Sequence, residues 1–374
     1  MAWTADPKDK AEGSHVVHLD LDDVTAVKEA LDKFNARELD LDDVTRENFP
    51  LPTLQTRLEA AAREVHNRRG YSIVKGFDPS KYTDEENVAI FLAISNYIGE
   101  QRGFQDKKGS MLTHVTSAKV WTVPPKKRHG IHTTTGLPWH CDLGTEVLAL
   151  HVRGLPKSGG DTFISSSWAI YEELKASNPE TLKALQARDW PIQVSGDPVD
   201  YISSPLLHVL DDKVLISVDP GRLGLHPATA KTDPDSSTAH ELNSAQQEAL
   251  KVLSTLATKH RRRLDLEKGD MVFINNLSLL HARESYKDHE TGPGRHLVRL
   301  WLRNKELAWE VPKEIWAPWE AAFGPDGEGF SESRERLYPV TPPMEYEEPK
   351  YTAGSAAFML EDGKDVNGGG NKKG

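Results

Sequence analysis

LPWHCDLGTEVLALHV, residues Leu137 to Val152, is the stretch on which the reading of this chain turns. His140 and Asp142 stand two positions apart, just ahead of an apolar run, Glu146 to Val152, that reads as a strand. Side chains alternate along extended backbone, so His140 and Asp142 project to one face and Cys141 to the other. An imidazole and a carboxylate on a shared face are two of the three protein ligands of a non-haem iron site. The spacing by itself is a weak signal, because His18-Leu19-Asp20 repeats it with nothing chemical following. The reading therefore needs a third ligand, an anchor for a cosubstrate and a fold that joins them.

Working downstream, Lys157 to Asp161 forms a tight turn through Gly159-Gly160. It leads into a short strand at Thr162–Ile164, followed by a helix over Ser167–Lys175. Leu206–Leu210 and Val214–Val218 flank Asp211-Asp212-Lys213 as a hairpin. Thr238–His260 reads as a long helix. Arg263–Leu266 and Met271–Asn275 read as a second hairpin around Lys268-Gly269-Asp270. The run LSLLHAR then carries His281, and RHLVRLWLR (Arg295–Arg303) is a final strand with Arg295, Leu297, Arg299 and Trp301 on one face.

Upstream, Thr53–Arg68 and Asp84–Ile98 have helical periodicity, with a strand at Tyr71–Gly76 between them. Gly99–Gly136 is irregular and too long for a plain turn, which in a compact domain points to function. Two copies of LDLDDVT, at Leu19–Thr25 and Leu39–Thr45, lack the glycine and the final glutamate of a calcium loop. They read as helix starts, with Asp22 and Asp42 near the N-caps. The organisation expected is a disordered N-terminus (1–14), one domain over 15–345 and a flexible tail (346–374). Within the domain, residues 15–70 are helical, 71–305 form a β core and 306–345 an extension.

Bulk composition narrows the function classes. The chain has 374 residues and a net charge of −11, with no strongly basic stretch, so nucleic acid is not an expected partner. Cys141 is the single cysteine, which excludes an intrachain disulfide and suits a reducing compartment. No apolar run approaches the ~18 residues of a membrane span, and MAWTADPKDKAEG lacks the apolar centre of a signal peptide. The expectation is a cytoplasmic protein acting on a small molecule. The sequence leaves its oligomeric state, homodimer included, open.

The order His140-x-Asp142, Gly159-Gly160-Asp161-Thr162, His281, then Arg295 and Arg299 on a last strand resembles the TauD/TfdA family of iron(II)- and 2-oxoglutarate-dependent dioxygenases. The match spans about Tyr71 to Arg303, and HAR at His281–Arg283 is similar to the clavaminate-synthase-like branch. The resemblance implies a double-stranded β-helix, or jelly roll, flanked by α-helices. It implies that His140, Asp142 and His281 hold Fe(2+) and are the catalytic centre. It also implies that 2-oxoglutarate and O2 are consumed, and that succinate and CO2 are released as a primary substrate is oxidised. In the family a relative that halogenates lacks the carboxylate ligand, so Asp142 points away from halogenation.

By the same resemblance Arg295, helped by the Thr162 hydroxyl, binds the far carboxylate of 2-oxoglutarate. A guanidinium fork suits that carboxylate better than an ammonium. Arg299, two pleats further along the same face, is expected to meet an anion of the primary substrate, and which of the two arginines holds 2-oxoglutarate stays open. Glu146 is a candidate contact for a substrate amine, against the plain reading as a solvated strand residue. Arg299 with Glu146 favours an amino-acid-like substrate, by hydroxylation, desaturation or cyclisation. Arg299 alone fits a sulfonate or aryloxy acid. Two rivals are a non-catalytic metal-binding jelly roll and a zinc hydrolase or isomerase, neither of which has a use for the arginine pair. Asn275 and Asn276 read either as turn formers or as donors supporting the ligands. Trp139 and Trp301 read as packing, and His114, His132, His151 and His208 as residues outside the metal site.

Overall fold

Alternation along the last long strand, His296–Arg303, divides the interior in two. Val298, Leu300 and Leu302 join one apolar cluster, while Leu297 and Trp301 join another. The computed structural model describes residues 15–194, 200–226, 240–327 and 334–348. The N-terminus 1–14 and the tail beyond 348 lie outside the described residues.

In chain order the strands are β1 (Val16–His18), β2 (Tyr71–Lys75), β3 (Gln101–Arg102), β4 (Leu112–Thr116), β5 (Leu137–His140) and β6 (Val147–Gly154). They continue as β7 (Ser158–Gly159), β8 (Thr162–Ser166), β9 (Trp190–Val194), β10 (Asp200–Ser204), β11 (Leu207–Leu210) and β12 (Lys213–Ile216). The last are β13 (Arg261–Leu264), β14 (Met271–Asn275), β15 (Leu279–Arg283), β16 (Tyr286–Lys287) and β17 (His296–Arg303). The helices are α1 (Leu21–Asn35), α2 (Pro52–Asn67), α3 (Asp84–Ser95), α4 (Ser167–Ser177), α5 (Pro179–Leu185), α6 (Ser244–Lys259) and α7 (Trp316–Phe323).

The larger sheet has the order β1-β2-β14-β6-β17-β3, with β4 also paired to β17. Its pairs are antiparallel except β1 with β2. The smaller sheet runs β13-β8-β15-β5, antiparallel throughout. The facing sides of the two sheets meet in one cluster that combines Leu148, Leu150, Val272, Ile274, Leu297 and Trp301 with Ile164, Leu264 and Leu279. Each outer side is covered by helices. Val147, Ala149, Met271, Phe273 and Leu300 pack on α1, α2 and α3. Trp139, Cys141 and Leu280 pack on α4, α5 and α6. This is the expected jelly-roll sandwich with flanking helices.

Local chemistry explains where the helices start. Asp20 caps α1 through the Asp23 N–H, with Asp23 returning the bond as a capping box, and Thr83 with Glu86 does the same for α3. Pro52 opens α2. The expected caps Asp22 and Asp42 are displaced by two residues, to Asp20 and Asp40, and the second LDLDDVT copy forms only a single turn, Leu41–Asp43. The helix expected over Thr238–His260 begins at Ser244, after the Asn243 cap, and residues 227–239 lie outside the described residues.

One expected pairing is wrong. Arg263–Leu266 and Met271–Asn275 are not a hairpin. β13 pairs with β8 in the smaller sheet, and β14 pairs with β2 and β6 in the larger one. The turn at Lys268–Asp270 is the corner by which the chain changes sheets. Gly269 sits at φ +101°, and a Cβ there would lie 1.8 Å from the Phe77 carbonyl oxygen. A sharp Gly-Asp turn marks a reversal but not the partner of the strand that follows.

Burial also sets the acid response. Desolvation pulls His114 down to about 4, His132 and His296 to about 3, and His151 well below its ordinary value. Between those values and the unfolded value near 6.5, the unfolded chain binds protons that the native chain does not. Stability therefore rises with pH across this window and is lost on acidification. The expected outcome is a falling melting temperature from pH 7 to pH 5, at roughly 1.4 kcal/mol per pH unit for each histidine whose protonation differs. A melting temperature flat over that range would contradict it.

Candidate metal centre and active site

The site grows from the pairing of β5 with β15. That register sets His281 opposite His140, and their rings lie 4.1 Å apart between centroids. Alternation turns both imidazoles toward the larger sheet, while Cys141, Leu280 and Ala282 face the helices. Burial pushes the Cys141 thiol up, which suits its place in that outer core. Asp142 lies two residues past the end of β5. Its Oδ1 lies 3.8 Å from His140 Nε2 and 3.8 Å from His281 Nε2. The three residues offer ligand atoms all within 4.8 Å of one another, and they are the group with metal-ligand geometry among the described residues.

Protonation states suit a cation. His140 Nδ1–H donates to the Pro138 carbonyl at 2.8 Å, which leaves Nε2 with its lone pair toward Asp142 and His281. Burial first, then the neighbouring His140, lowers His281 to about 3, so its ring is neutral at pH 7. Burial would raise Asp142 and is the largest influence on it. The charges of Arg299, His281 and His140 and the Trp301 N–H together outweigh it and hold the carboxyl below its ordinary value.

The Asp142 carboxylate is fixed on one side only. Oδ2 accepts from Arg299 Nη1 at 2.9 Å and from Trp301 Nε1 at 2.9 Å. Arg299 Nε in turn donates to Gln105 Oε1 at 2.8 Å, and Gln105 Nε2 donates to the carbonyls of Met111 and Arg299. Asn276 fixes the backbone. Its Oδ1 accepts from Asp142 N–H, and its Nδ2 donates to the carbonyls of Asp142 and Thr145. Asn275 accepts from the N–H groups of Leu277 and Ser278 and shapes the turn into β15. Oδ1 of Asp142 and Nε2 of His140 are buried with no hydrogen-bond partner. Two acceptors stranded side by side would be costly in a dry interior, and a divalent ion satisfies both. The residues fit iron(II).

A cavity of about 50 Å³ adjoins His140, Asp142 and His281. Its apolar wall includes Val115, Ile131, Leu137, Leu148, Leu150 and Leu297, and Arg283, Arg295, Arg299 and Thr162 supply its polar groups. Arg295 Nε donates to the Gly160 carbonyl at 3.2 Å and Nη2 to Thr162 Oγ1 at 3.4 Å, while Nη1 is buried with no hydrogen-bond partner. The Gly-Gly pair makes room for this side chain. Gly160 has φ +78°, and a Cβ there would stand 3.1 Å from both Cδ and Nε of Arg295.

The model of the family described as "Taurine catabolism dioxygenase TauD, TfdA family" matches residues 35–301. The chain belongs to this family. It is an iron(II)- and 2-oxoglutarate-dependent dioxygenase, with O2 as the further cosubstrate. Among curated proteins it is similar to the taurine hydroxylase-like protein SAT17 of Stachybotrys chartarum, 31% identical over 83% of this chain and 81% of that protein. Its fold is similar to that of asparagine oxygenase in complex with Fe(II), 2S,3S-3-hydroxyasparagine and succinate, at TM-score 0.60 and 17% identity over 77% of this chain and 93% of that one. It is also similar to the non-haem iron oxygenase OrfP in complex with Fe, succinate and (3S)-hydroxy-L-Arg, at TM-score 0.58 and 17% identity over 78% of this chain and 94% of that one.

Of the two expected substrate contacts, one lies outside the cavity and the other lines it. Glu146 is wholly buried outside the cavity: it accepts from Asn304 N–H at 3.1 Å and Trp309 N–H at 2.8 Å, with His66 Nε2 3.8 Å away. It ties the chain after β17 to the start of β6 and has no oxygen directed to a substrate amine. Arg299 does line the cavity, but its first partner is the Asp142 carboxylate. The other departures are additions. Trp301, read as packing, donates to that carboxylate, and Gln105 sits in the irregular segment before β4, where no local pattern marks it. Arg283 was visible in HAR as part of the resemblance, yet only the β15–β8 register, which pairs it with Thr162, reveals its place in the cavity.

Replacing Trp301 by phenylalanine keeps the ring packing and removes one of the two donors to Oδ2. Iron(II) affinity is expected to fall by about tenfold or more, measured by competition with a chelator. Unchanged affinity would show that the indole N–H does not orient the carboxylate. Gly160→Ala is expected to displace Arg295 and weaken 2-oxoglutarate binding while leaving metal affinity as it was, read by calorimetry on the iron-loaded protein under nitrogen.

Proposed function

We propose that the enzyme oxidises a small organic anion with an apolar carbon body, by hydroxylation or by desaturation or ring closure at the same centre. The observation that carries this reading is the make-up of the cavity: apolar side chains, arginines and, among the described residues, no carboxylate except the ligand Asp142. A substrate ammonium would find no free acid there, since Glu146 faces the Asn304–Trp309 main chain. This withdraws the support that Glu146 gave to an amino-acid-like substrate and shifts the preference toward a sulfonate or a simple carboxylic acid. The likeness to a taurine hydroxylase-like protein points the same way. The amino-acid reading keeps one supporting observation, that two proteins of similar fold are described with hydroxylated asparagine and arginine bound.

In this reading His140, Asp142 and His281 hold the iron, which when bound supplies the site for O2 activation coupled to decarboxylation of 2-oxoglutarate. Arg295 and Thr162 orient the cosubstrate by its far carboxylate. Arg299 keeps Asp142 turned toward the metal and gives the cavity its cationic side next to the ligands. The apolar wall excludes water from the reacting carbon and confines the substrate. Intact Arg295 and Thr162 favour turnover over a non-catalytic metal-binding role.

A succinate-release screen over small sulfonates, aryloxyacetates, simple carboxylic acids and free amino acids tests the substrate class. Turnover is expected with anions that lack an ammonium group, and with His281→Ala it is expected to drop by at least about a hundredfold, since one of three metal ligands is lost. Turnover confined to free amino acids would overturn the substrate reading. Wild-type-like turnover by His281→Ala would overturn the site.

A further inference from the structure

The cosubstrate end of the cavity holds a second buried cation that the assignment above leaves unused. Arg283 is two residues beyond His281 on β15 and pairs in register with Thr162 on β8, so it shares a face and a row with the Arg295 partner Thr162. Arg283 and Arg295 are 6% and 4% exposed. Their guanidinium carbons lie 5.2 and 5.5 Å from the centroid of the same ring, Tyr286. Arg283 Nε and Nη1 and Arg295 Nη1 are buried without a hydrogen-bond partner.

The nearest acids are directed elsewhere. Asp161 binds Arg263 Nη1 at 3.2 Å, and Asp288 Oδ1 accepts the backbone N–H of Arg295 at 2.7 Å. Two like charges buried around one ring, on residues that line one cavity, are a costly arrangement unless an anion enters between them. A carboxylate has the acceptor capacity to take donors from both.

Arg283 has a second attachment. Its Nη2 donates to the carbonyls of Gly130 (3.2 Å), Thr133 (2.9 Å) and Thr135, and Tyr286 N–H donates to Thr134 O at 3.0 Å. The stretch 130–135 is thereby held by the end of β15 and by β16. Ile131 within it and Leu137 just beyond it are walls of the cavity.

We propose that Arg283 is a second anion-holding arginine at the cosubstrate end of the cavity, sharing the far carboxylate of 2-oxoglutarate with Arg295 and so tying the stretch 130–135 to the bound cosubstrate. This rests on the reading of Arg295 as the 2-oxoglutarate anchor. It assigns the HAR arginine a binding role, and it makes one wall of the substrate cavity depend on whether the cosubstrate is in place.

The test compares 2-oxoglutarate with 2-oxobutyrate, which keeps the 2-oxo acid end and lacks the far carboxylate. Binding of each to the full-length iron(II)-loaded protein is measured without oxygen by calorimetry, for wild type, Arg283→Gln, Arg283→Lys and Arg295→Gln. The quantity read is the ratio of the two affinities, which does not depend on how much of a variant is folded. In Arg283→Gln the preference for 2-oxoglutarate is expected to fall by about ten- to a hundredfold, the loss of a charge-assisted hydrogen bond, with partial recovery in Arg283→Lys. A merely structural role for Arg283 would weaken both acids equally and leave the ratio unchanged, which would overturn the proposal. If the ratio survives Arg295→Gln as well, the Arg295 anchor itself fails; if it collapses there but not in Arg283→Gln, only the present inference fails.

Hydrogen exchange on wild type gives an independent arm. Amides of 130–135 are expected to gain protection with 2-oxoglutarate and not with 2-oxobutyrate. Equal protection by both acids, or by neither, would overturn the coupling.

Discussion

A buried carboxylate held by one oxygen and left open at the other is the constraint on which this molecule depends. Asp142 Oδ2 is fixed by Arg299 and Trp301, and Oδ1 has only the two imidazoles near it. Both donors come from the same face of β17, so an interior strand of the larger sheet sets the direction of a carboxylate carried by the smaller one. The candidate metal site is therefore a product of the sandwich: neither sheet by itself contains the carboxylate and the groups that aim it. Removing either donor leaves a buried charge short of a partner, and an isolated buried charge is costly.

The cavity is graded along its length. Its metal end is built from two imidazoles and one paired carboxylate, and its walls from aliphatic side chains. The other end is crowded with cationic side chains whose donors are only partly satisfied by the protein. Burial first, then the like charge of Arg283, lowers Arg295 to about 9, which leaves it a cation at neutral pH. An overall charge of −11 conceals this polarity. The buried arginines Arg283, Arg295 and Arg299 line the cavity of a chain that is acidic overall, so its net charge says little about its ligand.

Helices cover both outer faces of the sandwich, and this has a consequence for the site. β6, β14 and β17 are buried on both sides, so their inward residues can be large or charged only where a partner exists. Arg299 meets that condition through Asp142 and Gln105. Glu146 meets it in a different direction, by accepting two main-chain N–H groups from the segment after β17. The same rule, that a buried charge must be paired, thus directs one residue into the site and the other into the scaffold.

The sequence by itself determined the sandwich class and singled out His140, Asp142 and His281 as candidate ligands and Thr162 and Arg295 as a candidate anchor, because these depend on alternation within a strand and on motif order along the chain. His140 and Asp142 share a face whatever the strand pairs with, and RHLVRLWLR displays its two-residue period without a partner. Tertiary structure decided whatever depends on the neighbour across a sheet or between sheets. Pattern could not tell whether β13 and β14 form a hairpin or belong to different sheets, since the Lys268–Asp270 turn suits both. It could not distinguish Glu146 in a pocket from Glu146 on a main-chain segment more than 150 residues later. Nor could it place Gln105, Trp301 or Arg283, whose roles come from contacts between residues far apart in sequence. Periodicity fixes which side of a strand a residue takes; only packing fixes what stands opposite.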